Sequence, residues 1–219
     1  MKAATKQIYQ DMDYVCDPSL ELYLPLYLLD GSSFMSRDAH GHLCAATGAI
    51  WTPQGRTLDG TDDFITIPDH ASLDLADAIT MIAWIKTSSI VGSHRIVDKY
   101  STTGYTLATN NDTVYIGIGD TTPTWKYSVS AALLNTADWF HVAGIYDKVT
   151  LRCFVNGQAS GTPTAWTVAM GTNNADVLIG IDQSSTGDFV GSIGEVRIYN
   201  RVLSSVEVIN NYLSMKWRY

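Results

Sequence analysis

Short runs of alternating apolar and polar residues, separated by Gly, Asp and Asn, fill most of this 219-residue chain. The clearest run lies in residues 189–204, where Val196 and Ile198 fall on one face and Arg197 and Tyr199 on the other. A period of two predicts a half-buried β-strand. Such runs recur about every 8–12 residues, which is typical of an all-β sandwich or jelly roll.

Three segments in the middle of the chain predict particular strands. Residues 79–86 are apolar on both faces, which predicts a central strand with a packed layer on each side. Residues 139–147 and 150–158 predict a hairpin pair. Asn156 and Gly157 predict a second tight hairpin, because both residues tolerate positive φ.

The ends of the chain give weaker or different signals. Residues 1–18 carry no clear period and are predicted to be an N-terminal arm or leader, so that residues 19–219 form one domain. Residues 36–47 are predicted to be irregular. Residues 204–213 predict one short C-terminal helix, with one of the two serines at its start as the N-cap.

Composition and charge exclude several partners. The formal charge is −8, and the acids comprise nineteen Asp but only three Glu, which indicates turns rather than helices. The fourteen Lys and Arg form no run, so nucleic-acid binding is not expected. Three cysteines without short spacing indicate neither a disulfide framework nor a zinc site. We expect Cys153 to be a buried strand thiol, and the pairing of Cys16 with Cys44 is left open.

The sequence shows no targeting or membrane segment. The first seven residues lack an apolar stretch after their lysines, so no signal peptide is predicted. No run approaches the ~18 apolar residues of a membrane span, so membrane insertion is not expected. We expect a protein made in the cytoplasm that stays there or leaves without a signal, for example by lysis as part of a virion.

Five motifs stand out in chain order: L-D-G-T-D-D-F-I at residues 58–65, I-T-M-I-A-W-I-K at 79–86, W-F-H-V-A-G-I-Y-D at 139–147, F-V-N-G-Q at 154–158, and the final strand and turn at 189–204. Together they resemble the laminin G-like domains of the concanavalin A-like lectin/glucanase superfamily. The resemblance implies an all-β fold, a two-sheet antiparallel jelly-roll sandwich, here with the short C-terminal helix. It also implies a concave face and rim loops that often bind sugars or protein ligands, and most members of the family are non-catalytic.

Catalysis is not expected. Glucanases of this shape resemble one another in an E-x-D-x-x-E strand that puts two carboxylates on one face, as retaining hydrolysis requires. Here Glu21, Glu195 and Glu207 are isolated. A lyase would need a Tyr/His pair near an Arg or Gln, and we expect the mid-strand His141 to be structural.

Two groups of residues are candidate metal ligands. Asp59, Asp62 and Asp63 lie within five residues, and Asp182 lies in another loop. Carboxylate oxygens on loops suit Ca²⁺, so these four are the candidate ligands of a structural calcium ion, with turn capping as the alternative. Many members of the family use an acid at the start of the final strand, where this chain has Gly194. By contrast, His40 and His42 have only their spacing to suggest a metal.

Aromatic residues in polar surroundings are the candidate ligand contacts. Trp125, Tyr127 and Trp166 lie among Thr, Pro and Lys, and sugar rings stack on such exposed aromatic faces. For the two tryptophans, packing against the edge of the sandwich is the alternative.

The sequence therefore predicts a non-catalytic, lectin-like binding or adhesion module displayed on the surface of a large particle such as a phage virion. A purely structural capsid or tail decoration protein without glycan binding is the alternative. A glycoside hydrolase or a polysaccharide lyase is disfavoured. Expected partners are a glycan or other protein subunits of an assembly, and residues 1–18 are the candidate contact for a homo-oligomer.

Overall fold

The computed structural model describes residues 17–122, 124–185 and 187–219. Most of the predicted arm at residues 1–18, and Cys16 with its pairing to Cys44, therefore lie outside the described residues. The strands and the helix are β1 Leu20–Leu24, β2 Ser33–Met35, β3 Leu43–Thr47, β4 Ile50–Thr52, β5 Gly55–Asp59, β6 Phe64–Ile67, β7 Ile79–Thr87, β8 Ser93–Asp98, β9 Gly104–Asn110, β10 Thr113–Gly119, β11 Trp125–Val129, β12 Phe140–Tyr146, β13 Thr150–Val155, β14 Gln158–Ala165, β15 Val177–Ile179, β16 Val190–Tyr199 and α1 Ser205–Met215.

Two antiparallel sheets form the sandwich, as predicted. The first, the helix-side sheet, has the order β14-β13-β12-β7-β16-β5-β4, and β1 also pairs with β16. The second, the groove sheet, has the order β11-β10-β9-β8-β15-β6-β3-β2. Neighbouring strands are often distant in sequence, since β16 lies between β7 and β5, and β15 lies between β8 and β6.

The central strand β7 has apolar residues on both faces because a layer packs on each side of it. Met81 and Ile85 belong to the core between the sheets. Ile82 packs with Val208 of α1 in a second cluster, on the outer face of the helix-side sheet. The prediction of a central strand with two packed layers is confirmed, and α1 is the second layer.

The helix α1 begins where the sequence predicts. Ser204 is the N-cap, and its Oγ accepts from the backbone N–H of Glu207 while the Glu207 carboxylate accepts from the backbone N–H of Ser204. This reciprocal capping box satisfies two otherwise unpaired donors. No helix in the described part of the chain is long and apolar enough to cross a membrane.

The prediction that residues 36–47 are irregular is wrong for its second half. Leu43–Thr47 forms β3, which pairs with β2 and β6. Within β3 only Cys44 is buried and Leu43 is exposed. An edge-side strand with one buried position shows little alternation in its sequence, so the pattern gave no signal.

The presence of glycine at position 194 is explained by its packing. The register of β16 against β7 shifts between Ile193 and Glu195, so Gly194 is the extra residue of a bulge. A Cβ at Gly194 would stand 2.4 Å from the hydroxyl oxygen of Tyr219. The family's usual Asp at this position would therefore require the Tyr219 side chain to move.

Candidate functional site

A groove of about 470 Å³ opens on the outer face of the groove sheet, across β8, β9, β10 and β11. This volume lies within the range of small-ligand sites, about 300–1,000 Å³. Aromatic rings and hydrogen-bonding groups line it together, which is the composition that a sugar site requires. The lining residues are Ser93, Arg95, Asp98, Tyr100, Thr106, Asn110, Tyr115, Trp125, Tyr127 and Val129.

The aromatic wall forms because large residues of β11 face glycines of β10. Trp125 pairs with Gly119 and Tyr127 pairs with Gly117. The Trp125 ring lies across Gly117, where a Cβ would come within 2.0 Å of it. Tyr100 meets the edge of Trp125 with ring centres 4.4 Å apart. Glycines on alternate positions of β10 thus make the space in which the rings lie flat on the sheet.

Arg95 connects the polar side of the groove. Its Nη1 donates to the Tyr115 hydroxyl at 2.6 Å and to Ser93 Oγ at 2.9 Å. Its Nε lies 3.6 Å from Asp98 Oδ1, and its Nη2 lies 3.6 Å from Asp182 Oδ2. A guanidinium held on several sides cannot swing freely, so its hydrogen-bonding groups keep fixed positions at the groove.

Asp98 is the buried acid beside this arginine. Its side chain is 2% exposed, and burial raises its pKa to about 6, although the nearby Arg95 opposes that shift. A carboxyl with this pKa changes its charge in a mildly acidic range. Burial of Asp98 therefore favours its protonated form, while the neighbouring Arg95 favours the carboxylate.

The structure separates the three aromatic residues that the sequence marks as ligand contacts. Trp125 and Tyr127 share the groove, and Tyr127 is 52% exposed. Trp166 lies elsewhere, since it packs against the core between the sheets and Lys126 Nζ lies 5.8 Å from its ring centre. Lys126 points to the opposite face of β11 from its two neighbours, so Trp166 does not line the groove.

Three of the four candidate calcium ligands lie together. One carboxylate oxygen from each of Asp59, Asp62 and Asp63 lies within 4.8 Å of the others. Asp63 Oδ2 accepts from the backbone N–H of Asp59, and Asp59 Oδ1 accepts from that of Thr61. These bonds are the turn capping that the sequence offered as the alternative. Asp182 instead lies beside Arg95.

The histidine and glutamates considered for catalysis lie away from the groove. His141 is buried on the outer face of the helix-side sheet against Trp84, and burial lowers its pKa to about 3. Glu195 forms a buried ion pair with Arg197 at 2.9 Å. His141 and Glu195 are held inside the packing, Glu207 is part of the capping box of α1, and none of these groups lines the groove.

Sequence reasoning missed Arg95, Asp98 and Tyr115. They lie on β8 and β10, and their shared location depends on the pairing of β8 with β9 and β9 with β10. One local signal was present, because β10 alternates Gly117 and Gly119 with buried isoleucines. Small residues on one face of a strand indicate that something large lies against that face.

Solved structures of other proteins have a similar fold. The binding domain of Paraclostridial Mosquitocidal Protein 1 matches with a TM-score of 0.69 at 12% identity, over 89% of this chain and 52% of that one. The botulinum neurotoxin serotype D ligand-binding domain in complex with N-acetylneuraminic acid matches with a TM-score of 0.72 at 15% identity, over 89% and 50%. This chain thus spans about half the length of these structures. No curated protein sequence matches it.

A family model gives the remaining comparison. The model Laminin_G_3, described as the concanavalin A-like lectin/glucanases superfamily, matches residues 59–209, which is more than half of the chain. The match includes β7, β12, β13 and β16 as well as the four strands of the groove. The chain therefore belongs to the concanavalin A-like lectin/glucanase superfamily.

Proposed function

We propose that this domain is a non-catalytic, lectin-like binding module that binds a glycan in the groove over β8–β11. The observation that carries the proposal is the aromatic wall of Trp125 and Tyr127 opposite the hydrogen-bonding groups of Arg95 and Asn110. Sugars present apolar C–H faces and hydroxyl edges, and this groove offers a partner for each.

Known proteins of similar fold support a glycan as the ligand. One similar structure is a neurotoxin binding domain in complex with N-acetylneuraminic acid. Another concerns botulinum neurotoxin type C, whose cell entry depends on interaction with two ganglioside molecules, and it matches with a TM-score of 0.72 at 11% identity, over 93% of this chain and 53% of that one. These ligands belong to those proteins, and they guide the choice of probes here.

A glycan array tests the proposal. We expect the full chain to bind a restricted set of glycans, and Trp125→Ala and Tyr127→Ala to lose that binding while circular dichroism stays unchanged. Trp217→Ala is the matched control, since Trp217 is a 61% exposed aromatic that does not line the groove. Unchanged binding by both groove variants would rule out this site.

Hydrolysis is the second function to test, because an acid with a raised pKa lines the groove. Glycosidases use such an acid together with a second carboxylate. Here Arg95 contacts both Asp98 and Asp182, and the Asp98 side chain is almost completely buried. We propose that Asp98 holds Arg95 rather than protonating a leaving group. Glycans bound on the array should therefore be recovered uncleaved, and cleavage that Asp98→Asn abolishes would establish an enzyme.

Display on a large particle such as a phage virion stays a prediction from the sequence. It is tested by whether the native protein co-purifies with virions through a density gradient. Co-purification together with glycan binding would support adhesion from a particle surface. Co-purification without glycan binding would favour the purely structural alternative.

Calcium binding also stays a prediction. Calorimetric titration of the chelator-treated protein with Ca²⁺ tests it, and Asp62→Asn is the variant of choice because Asp62 is exposed. Saturable binding that this variant weakens would support the site. Absence of binding would leave these aspartates as turn-capping residues.

A further inference from the structure

Three histidines from distant parts of the sequence meet beside β1, away from the groove. The ring centres of His40 and His42 lie 5.4 Å apart, those of His40 and His70 lie 5.6 Å apart, and those of His42 and His70 lie 5.0 Å apart. His40 and His42 come from the loop between β2 and β3, and His70 precedes a short 3-10 helix at residues 71–73. The spacing of His40 and His42 alone is weak evidence of a metal site, and His70 adds a third imidazole beside them.

Glu21 of β1 orients two of the rings. His40 Nε2 lies 2.7 Å from Glu21 Oε2, and His42 Nε2 lies 2.9 Å from the Glu21 backbone oxygen. Since a carbonyl only accepts, His42 donates its Nε2–H and keeps its lone pair on Nδ1. Donation from His40 to the carboxylate likewise leaves the Nδ1 lone pair of His40 for another partner.

These are the outer contacts of metal-binding histidines. A ligating imidazole usually donates its second N–H to a carboxylate or a backbone carbonyl, which fixes its tautomer and orientation. Glu21 supplies both kinds of acceptor, its carboxylate for His40 and its backbone carbonyl for His42. The third ring is held differently, because His70 Nδ1 accepts from the Ser72 backbone N–H at 3.2 Å and lies 3.0 Å from Ser72 Oγ. A metal ion on Nε2 of His70 therefore requires this ring to take up its other tautomer, in which Nδ1–H donates to the Ser72 hydroxyl and the bond from the Ser72 N–H is lost.

The ring spacing also fits one ion. Three imidazoles on a tetrahedral ion, with metal–nitrogen bonds of about 2.0–2.1 Å, place their ring centres roughly 5 Å apart. We propose that His40, His42 and His70 bind one first-row divalent metal ion of the Zn²⁺ type, with Glu21 and Ser72 as the outer groups that position the rings. Imidazole ligands favour such ions over Ca²⁺ and Mg²⁺.

Small ring movements complete the site. The nitrogens do not converge on a single point in the structure, so binding requires the rings to turn. His40 and His70 are exposed, and the side-chain torsion that turns an imidazole is soft. His42 is the buried anchor of the three, so its ring is held in place by the surrounding packing.

Calorimetry with Zn²⁺ alone on the chelator-treated full chain tests the proposal. We expect one ion per chain. His40→Asn and His70→Asn should each weaken Zn²⁺ binding more than about tenfold, because even the loss of a residue that only hydrogen-bonds to a ligand lowers metal affinity by that much. Glu21→Gln should weaken binding by about ten- to a hundredfold through ring orientation. Co²⁺ should give the visible spectrum of a tetrahedral site, and an excess of Ca²⁺ should not displace it.

The control is His94→Asn, because both ring nitrogens of His94 contact backbone oxygens outside the cluster. This control should bind Zn²⁺ as tightly as the unmodified protein. Because His42 is buried, its substitution is checked by circular dichroism, and the two exposed histidines carry the test if that variant unfolds. Absence of stoichiometric binding, or equal affinity in the His40→Asn/His70→Asn double variant, would overturn the proposal.

Discussion

Gly117 lies directly beneath the indole of Trp125, and a Cβ at this glycine would stand 2.0 Å from two carbons of that ring. The glycine is on β10 and the tryptophan on the neighbouring β11. The flat position of the principal aromatic residue in the groove therefore depends on the absence of one methyl group. A substitution of Gly117 should therefore weaken ligand binding without unfolding the domain.

Gly117→Ala should displace the Trp125 ring and weaken glycan binding about tenfold, the equivalent of about 1.4 kcal/mol. The fold should persist, because the group that must move is the outer end of an exposed-face side chain. Titration of the glycan selected on the array measures the effect.

A double-mutant cycle identifies the cause. If Gly117 acts only through the indole, adding Gly117→Ala to Trp125→Ala should produce no further loss. Additive losses would show that Gly117 affects the ligand by another route.

The buried acid of the groove predicts a pH dependence of stability. The Asp98 carboxyl titrates near 3.8 when unfolded and near 6 when folded. Between these values the folded protein holds a proton that the unfolded chain has released, so the free energy of unfolding falls as pH rises through this window. The loss is about 3 kcal/mol at most, from a shift of about two pKa units.

Asp98→Asn should remove this dependence. Urea unfolding at intervals from pH 4 to pH 7 should show that the stability difference between the variant and the unmodified protein changes across the window and is constant above it. A constant difference throughout would mean that Asp98 has an ordinary pKa in the folded state.

The ion pair under α1 predicts a large coupling energy. Glu195 and Arg197 are both almost completely buried, and Arg197 also donates to Asn211 of the helix. Arg197→Met would leave the carboxylate buried without its cation, at a cost of about 3–5 kcal/mol. Urea unfolding measures this cost.

The double variant Glu195→Gln/Arg197→Met should lose less stability than Arg197→Met alone, because it leaves no buried unpaired charge. A double variant that is as unstable as the sum of the two single variants would contradict the coupling.

Much of the architecture was predictable from local pattern. The alternation in residues 189–204, the two apolar faces of β7 and the turn at Asn156 each predict their elements, because strand periodicity records which face is buried. The sequence did not predict β3, because its single buried residue, Cys44, gives no alternation of apolar and polar positions.

The site was predictable only in part. Trp125 and Tyr127 stand out as aromatic residues among polar ones, and they do share a groove. Arg95 joins them through the strand order, which local sequence does not contain. The histidine cluster depends on His70, which lies 28 residues after His42 and approaches it only through the packing of the 3-10 helix beside β1.

The most direct test of the groove over β8–β11 as the glycan site is to map where the glycan binds. The selected oligosaccharide is titrated into isotope-labelled protein while backbone amide resonances are recorded. The largest shifts should fall on β10 and β11, at Gly117, Trp125 and Tyr127, with α1 unchanged. Shifts confined to α1, or to the loops remote from the groove sheet, would contradict it.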